Sequence, residues 1–200
     1  MHDHGSSHRS PASFERLDDL GRLQRQVSEA ELTRLLALRG DEDVLDLGSG
    51  TGFYTDRIAA LTTGTVYALD LDPAMNDHYR ARGLPANVKL VLGDITVLLV
   101  SAAGEGQALK AESVDLACTI ATWHEIGGRL DLQGVTKVLR PRGRLVVIDW
   151  RRDTESWESG PPIAERSTAA EVAGVLVSRF TVVRTENVGS FMFAVTARRD

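Results

Sequence analysis

The run Asp46-x-Gly48-x-Gly50-x-Gly52 places a carboxylate and three glycines within seven residues. Glycine loses more backbone freedom on folding than any other residue, so glycines at alternate positions need a reason. The usual reason is a ligand that must lie against the main chain. Two further acids follow. Asp70 stands about 20 residues beyond the loop, the separation at which an acid meets a ribose diol in nucleotide-binding sheets. A carboxylate suits a diol because its two oxygens can accept from both hydroxyls. Asp94 ends a later apolar run and offers another acceptor. No Lys-Ser/Thr pair of a phosphate cradle follows the loop. His124 follows a fourth apolar run, and the unperturbed pKa of a histidine suits a general base; it or Glu125 can equally cap a helix, or pack on Trp123. Asp46 is either a ligand or a cap for the helix that follows.

The elements that must carry these residues alternate. Strand-like runs cover 43–47, 65–70, 87–94, 113–121 and 144–150, with helical patterns between them at 52–62, 73–83 and 131–139. Short strands that are apolar on both faces and alternate with helices form a parallel sheet covered on both sides. A helix is expected over 167–180, then two strands joined by a tight link containing Gly189, which makes an antiparallel hairpin. Ahead of the sheet, Ser28 and Glu31 form a capping box, and Gly40 is placed to end that helix. Asp72 precedes Pro73 as a cap for the helix at 73–83. Arg142 sits in a turn before the fifth strand, read as type I. Residues 95–112 and 151–166 read as loops, the first with room for a turn of helix in 95–104 and the second carrying Trp157 as part of a lid.

Ligands of such a sheet bind beyond the carboxyl ends of the strands, where the glycines lie. The dinucleotide fingerprint requires glycine at position 53, which is Phe53, so a nicotinamide-dependent oxidoreductase is the weaker reading. The spacing resembles instead the first motif of the class I S-adenosylmethionine-dependent methyltransferases. "VYALDLDPAM" (66–75), "LVLGDI" (90–95), "SVDLACTIATWHEI" (113–126) and "VLRPRGRLVVIDW" (138–150) resemble the later motifs in order. Within that family the chain is most similar to stand-alone bacterial enzymes of the ubiquinone- and menaquinone-biosynthesis type. The resemblance implies a Rossmann-like α/β fold, doubly wound and mostly parallel, with seven strands in the order 3-2-1-4-5-7-6. It implies S-adenosyl-L-methionine as cofactor, held by Asp46, Gly48, Ser49, Gly50, Gly52, Asp70, Leu71, Met75, Asp94, Ile95 and Ala121. Asp46 and the Gly48 carbonyl would take the ammonium, Asp70 the ribose and Asp94 the adenine amino group, with Leu71, Met75 and Ile95 around the purine. It places His124 near the transferred methyl. Asp149 and Trp150, at the tip of the fifth strand, read as lining of the acceptor pocket, with simple packing an equal reading for Trp150. The stretch from Phe14 to Gln26 would close over the cofactor with Arg25 near it.

Composition narrows the partners. With 200 residues and one cysteine, Cys118, the chain can build a core without staples and has no cysteine-based zinc site; no metal is expected. Cys118 inside a strand reads as core, in a reducing, cytoplasmic setting. The net charge of −5 repels nucleic acid, and no apolar run spans a membrane. Residues 1–13, with His2, His4 and His8, read as a disordered tail before one domain over 14–200. Little surrounds the core fold, which points to a small-molecule acceptor and a monomer or homodimer. Aminopropyl transfer and a non-catalytic cofactor-binding protein stay open as other uses of the fold.

Overall fold

In the segment Val44–Leu47 every side chain is buried, because apolar residues face both ways from the strand. This strand, β1, is the middle of a sheet seen in a computed structural model that describes residues 11–102, 104, 108–154 and 160–200. His2, His4, His8 and Trp157 lie outside the described residues. β1 pairs in parallel with β2 (Val66–Asp70) on one side and β6 (Val114–Ile120) on the other. β3 (Val88–Leu92) extends the first side, and β7 (Leu139–Trp150) the second. β8 (Thr181–Val188) and β9 (Met192–Arg198) complete the sheet as an antiparallel hairpin, with β9 against β7. The order β3-β2-β1-β6-β7-β9-β8 is the expected one once the strands of this sheet are counted in chain order.

Alternation divides the core. Leu116, Cys118 and Ile120 of β6 and Val146, Ile148 and Trp150 of β7 pack on one face with α3 (Glu29–Leu36) and α4 (Phe53–Ala59). Leu45 and Leu47 of β1, Leu145 and Val147 of β7, and Phe193 and Val195 of β9 pack on the other with α7 (Leu132–Val138) and α8 (Ala169–Leu176). Fully burying one such aliphatic side chain is worth about 2 kcal/mol. A one-residue slip in register would move each set to the wrong face.

Local signals hold at most element ends. Ser28 with Glu31, and Thr168 with Glu171, form capping boxes, and Asp72 accepts from Ala74 N ahead of α5 (Pro73–Arg82). Three expectations are corrected. Gly40 does not end α3: Ala37 does, at φ 44°, and Gly40 N instead donates to the buried Glu42 carboxylate. Arg142 is not in a type I turn: it has φ 67° within a bulge of β7, where Leu139 pairs with Val114 and Arg144 with Leu116. The bulge lets Arg140 reach Asp43 and Asp115 at 2.8 and 2.5 Å, tying strand starts together away from the glycine loop. Finally, the described residues of 95–104 hold a turn at 95–96 rather than helix, and β4 (Val100–Ser101) then pairs in parallel with β5 (Leu109–Lys110).

Candidate active site

The glycine loop leaves β1 at Leu47 and is fastened at once. Gly48 N and Ser49 N both donate to the Leu69 carbonyl of β2, at 2.8 and 3.0 Å. Two glycines are required by close approach. A Cβ on Gly48, at φ 80°, would meet the Thr122 side chain at 2.4 Å. A Cβ on Gly52, at φ 84°, would meet the Tyr79 ring at 2.3 Å. Tyr79 stays a phenol, since burial and the Asp56 carboxylate it donates to both push its pKa up. Gly50 differs from these two: nothing lies within 4 Å of where its Cβ would be. Its N–H donates to Asp70 Oδ2 at 2.7 Å, which ties the loop to the tip of β2.

These tips surround a cavity of about 430 Å³. Asp46, Gly48, Ser49, Gly50, Asp70, Leu71, Met75, Asp94, Ile95 and Ala121 all line it. Gly52 does not; its place is under Tyr79. Met75 and Ile95 are buried and Leu71 is 65% exposed, so the apolar wall is closed on one side and open on the other. Asp94 Oδ1 accepts from both Thr96 N and Thr96 Oγ1 at 2.7 Å. The Gly48 carbonyl accepts from Thr122 Oγ1 at 3.2 Å, joining the loop to the end of β6. Ala121, at that end, takes φ 55°, a conformation costing a non-glycine residue about 1 kcal/mol or more and met most often at functional sites.

Asp46 is the electrostatic centre. It is 2% exposed and accepts from Thr55 Oγ1 at 2.6 Å. Burial pushes its pKa up to about 6; the Thr55 bond opposes the shift, the Asp70 charge adds to it and Arg22 reduces it. Ser49 Oγ and Thr51 Oγ1, also on the cavity wall, are buried with no partner among the described residues.

The N-terminal segment closes one side. α1 (Pro11–Leu17) and α2 (Arg22–Arg25) lie over α4 and α5: the Phe14 ring stacks on His78 at 4.6 Å, and Asp18 pairs with His78 at 2.8 Å. Leu17 and Arg22 line the cavity. Arg25 does not; it is exposed and paired with Asp19. Sequence reasoning placed the helix over the cavity but chose the wrong arginine, because the three-residue spacing puts Arg22 and Arg25 in a short segment whose facing face no apolar pattern marks.

His124 lies in α6 (Trp123–Ile126), just past Thr122 on the cavity wall, but it is not itself part of that wall. Its Nδ1 is 2.8 Å from Asp149 Oδ1, and its backbone N donates to Asp149 Oδ2 at 3.3 Å. Burial works against the imidazolium, yet the Asp149 bond and charge, with Glu125 and Glu165 beyond, hold the His124 pKa above its ordinary value. Trp150 packs under Gly160 and faces the Arg166 guanidinium at 5.4 Å. Neither Asp149 nor Trp150 lines the cavity. No local pattern marks the His124–Asp149 bond, which joins residues 25 apart on different elements.

This arrangement is that of a known family. A family model described as a methyltransferase domain matches residues 44–143. The chain belongs to that family, the class I S-adenosylmethionine-dependent methyltransferases. An S-adenosylmethionine-dependent methyltransferase from Aquifex aeolicus superposes with a TM-score of 0.81 at 26% identity, over 96% of this chain and all of that one. An uncharacterized methyltransferase of Mycobacterium tuberculosis is 33% identical over 138 residues, 64% of this chain. An uncharacterized methyltransferase-like protein of Schizosaccharomyces pombe is 32% identical over 115 residues, 57% of this chain. The chain spans only 41–52% of the length of these two curated relatives. The [4+2]-cyclase SpnF shares the fold, with a TM-score of 0.67 at 16% identity over 86% of this chain and 79% of that one, so the fold alone does not fix the reaction.

The cofactor is S-adenosylmethionine, and the cavity fits it. It offers a buried carboxylate to suit an ammonium group, a second carboxylate at the tip of β2 to suit a diol, unpartnered hydroxyls, and open space beside Gly50. Among the described residues no helix is long and apolar enough to cross a membrane.

Proposed function

We propose that this protein transfers the cofactor's methyl group to a small-molecule acceptor, with His124 as general base. The observation that carries the reading is the His124–Asp149 pair, with His124 between the cavity-lining residues Thr122 and Glu125 and its imidazole bonded through Nδ1. A carboxylate at Nδ1 makes that nitrogen the proton donor and leaves Nε2 as the acceptor. Asp46 and the Gly48 carbonyl hold the ammonium, Asp70 the ribose hydroxyls, and Asp94 the adenine amino group, while Leu71, Met75 and Ile95 pack the purine. The bound cofactor supplies an activated methyl on a sulfonium, open to in-line displacement. The residues around it supply orientation, which can account for much of the rate, and His124 takes the proton that a protonated acceptor must lose. The acidic surface balance, with a net charge of −5, favours a small acceptor over nucleic acid.

The test is a screen of small acceptors against the 200-residue chain, reading S-adenosylhomocysteine. Turnover with any class of acceptor, lost in His124→Gln but with cofactor binding retained, supports the reading. Cofactor binding with no turnover across the screen would favour a non-catalytic cofactor-binding protein.

A further inference from the structure

Arg166 has no role in the function described so far. Among the described residues it is the one basic side chain that is buried, at 1% exposure. A guanidinium withdrawn from water is costly unless its charge is met, so its place needs a reason. That place lies in the segment that follows β7. There Gly160 packs against the Trp150 indole, a 3₁₀ turn covers Ile163–Glu165, and Ser167 bridges in parallel to Arg151. The segment is stitched to the tip of β7, and Arg166 turns inward from it. Its Nε donates to the Pro161 carbonyl at 2.9 Å, its guanidinium faces the Trp150 ring at 5.4 Å, and Arg152 Nη1 donates to its carbonyl at 3.3 Å.

The neighbouring groups supply the reason. Trp150 N donates to Asp149 Oδ1 at 2.6 Å, and the same oxygen accepts from His124 Nδ1 at 2.8 Å. One tryptophan thus contacts both a buried guanidinium and a carboxylate that is itself 1% exposed. Withdrawal from water pushes the Arg166 pKa down, and the Asp149 charge opposes this. Three acids act on the imidazole: Asp149 from β7, Glu125 from its own helix and Glu165 from the segment after β7. Glu125 and Glu165 are exposed, as is Arg129 on the cavity wall, so water and salt screen their charges. Asp149 and Arg166 lack that screening. With the imidazole neutral, His124, Asp149 and Arg166 together carry no net charge.

We propose that Arg166 is a positioning residue for the transfer: as the buried counter-charge of Asp149, it lowers the proton affinity of the His124–Asp149 pair, so that His124 is neutral, and free to act as base, closer to neutral pH. A carboxylate bonded to an imidazole in a dry site makes it a stronger base, and a base that is already protonated cannot take a proton. A cation beside the carboxylate trims that effect without breaking the bond that orients the ring. This inference rests on the reading of His124 as the base.

The experiment is an NMR titration of the His124 ring in the 200-residue chain, its resonance assigned by its absence in His124→Gln. Arg166→Met removes the charge and keeps an apolar side chain against Trp150, while Arg166→Lys keeps the charge and gives up the fork. The midpoint should rise by about one pH unit or more in Arg166→Met and stay close to wild type in Arg166→Lys. With an acceptor in hand, the acid limb of the pH–rate profile should move with it, so that below the midpoint the rate falls about tenfold and is restored at higher pH. An unchanged midpoint in Arg166→Met, or an equal displacement in both variants, would show that the arginine only fills space, and would overturn the proposal. Removing one partner of a buried pair can unfold a chain, so the second measurement is thermal unfolding of Arg166→Met, Asp149→Asn and the double variant. Counter-charges predict that the double variant loses less stability than the two single losses added together. Additive losses would overturn the proposal even where Arg166→Met is too unstable to titrate. Since the resonance is read without turnover, a chain that methylates no acceptor would remove the base reading alone, and the coupling of charges would still stand or fall by the titration.

Discussion

Two buried carboxylates at strand tips have opposite surroundings. Asp46 on β1 faces the cavity with one hydroxyl partner at 2.6 Å, the Cys118 thiol lying 4.0 Å away. Asp149 on β7 is 1% exposed and accepts from His124 Nδ1, from His124 N and, at 2.6 Å, from its own neighbour Trp150 N. A buried carboxylate short of donors is costly, whereas one that accepts from several N–H groups is at ease. The cofactor side is thus built with an unmet demand that a ligand's ammonium can satisfy. Asp149 is internally wired to the histidine that it holds.

The largest test of this contrast is His124→Asn. If the acceptor side works by positioning a base, turnover should fall by about 10²- to 10⁴-fold. The dissociation constant for the cofactor, measured by calorimetry, should move less than twofold. The wild-type rate should rise with pH through a pKa held above the ordinary imidazole value, because the base works only when neutral. Asp46→Asn tests the other half. Its pKa is raised on folding from 3.8 to about 6, so the stability it contributes is complete below pH ~4 and lost as pH rises through about 6. At pH 8 the ionised group therefore costs about 3 kcal/mol that asparagine would not. Thermal unfolding of the ligand-free variant should show a higher Tm than wild type at pH 8, and no gain at pH 4. Cofactor binding should weaken at the same time, and wild-type affinity should itself decline as pH falls through about 6. A variant no more stable at pH 8 would mean that Asp46 is not strained.

The difference between the halves also explains what the sequence disclosed. The cofactor side is written in consecutive residues: glycines at 48, 50 and 52, and acids at the ends of β1, β2 and after β3. Near-continuous apolar runs in β6 and in the second half of β7, buried on both faces, made the sheet equally legible. Contacts between distant segments were not legible. Nothing near residue 124 reports that residue 149 accepts from it, and nothing in 22–26 says which arginine turns inward. Gly52 shows a subtler limit. Its type and spacing belong to the motif, but the close approach it permits is to Tyr79 on α5 rather than to the cavity. The bulge at Arg142 escaped for a related reason: a left-handed residue that is not glycine leaves no local mark, and the tie from Arg140 to Asp43 and Asp115 is made only after the sheet assembles.

Smaller effects sharpen the boundary of the cofactor side. Asp70→Ala removes the acceptor proposed for the ribose diol and releases Gly50 N, so cofactor affinity should fall at least about tenfold by calorimetry. Since Asp70 also adds to the burden on Asp46, its loss should lower the Asp46 pKa, shifting the midpoint of the pH–affinity curve downward. An unshifted midpoint would separate the two acids and weaken the picture of one coupled site.

The smallest effect belongs to Arg25, three residues from Arg22 on the same short helix. Both are arginines near the cavity, but only Arg22 lines it, while Arg25 is 44% exposed and paired with Asp19 at the surface. An exposed pair of this kind is worth roughly 0–1 kcal/mol, because water screens the attraction and two long side chains must be held still. Arg25→Ala should therefore leave cofactor affinity within twofold and lower Tm by no more than a few degrees. The informative case is a large loss of affinity with Tm unchanged. That would mean that the Arg25–Asp19 pair orients the whole segment and that Arg22 depends on it, which would extend the under-satisfied side of the molecule from the cavity wall to its outer surface.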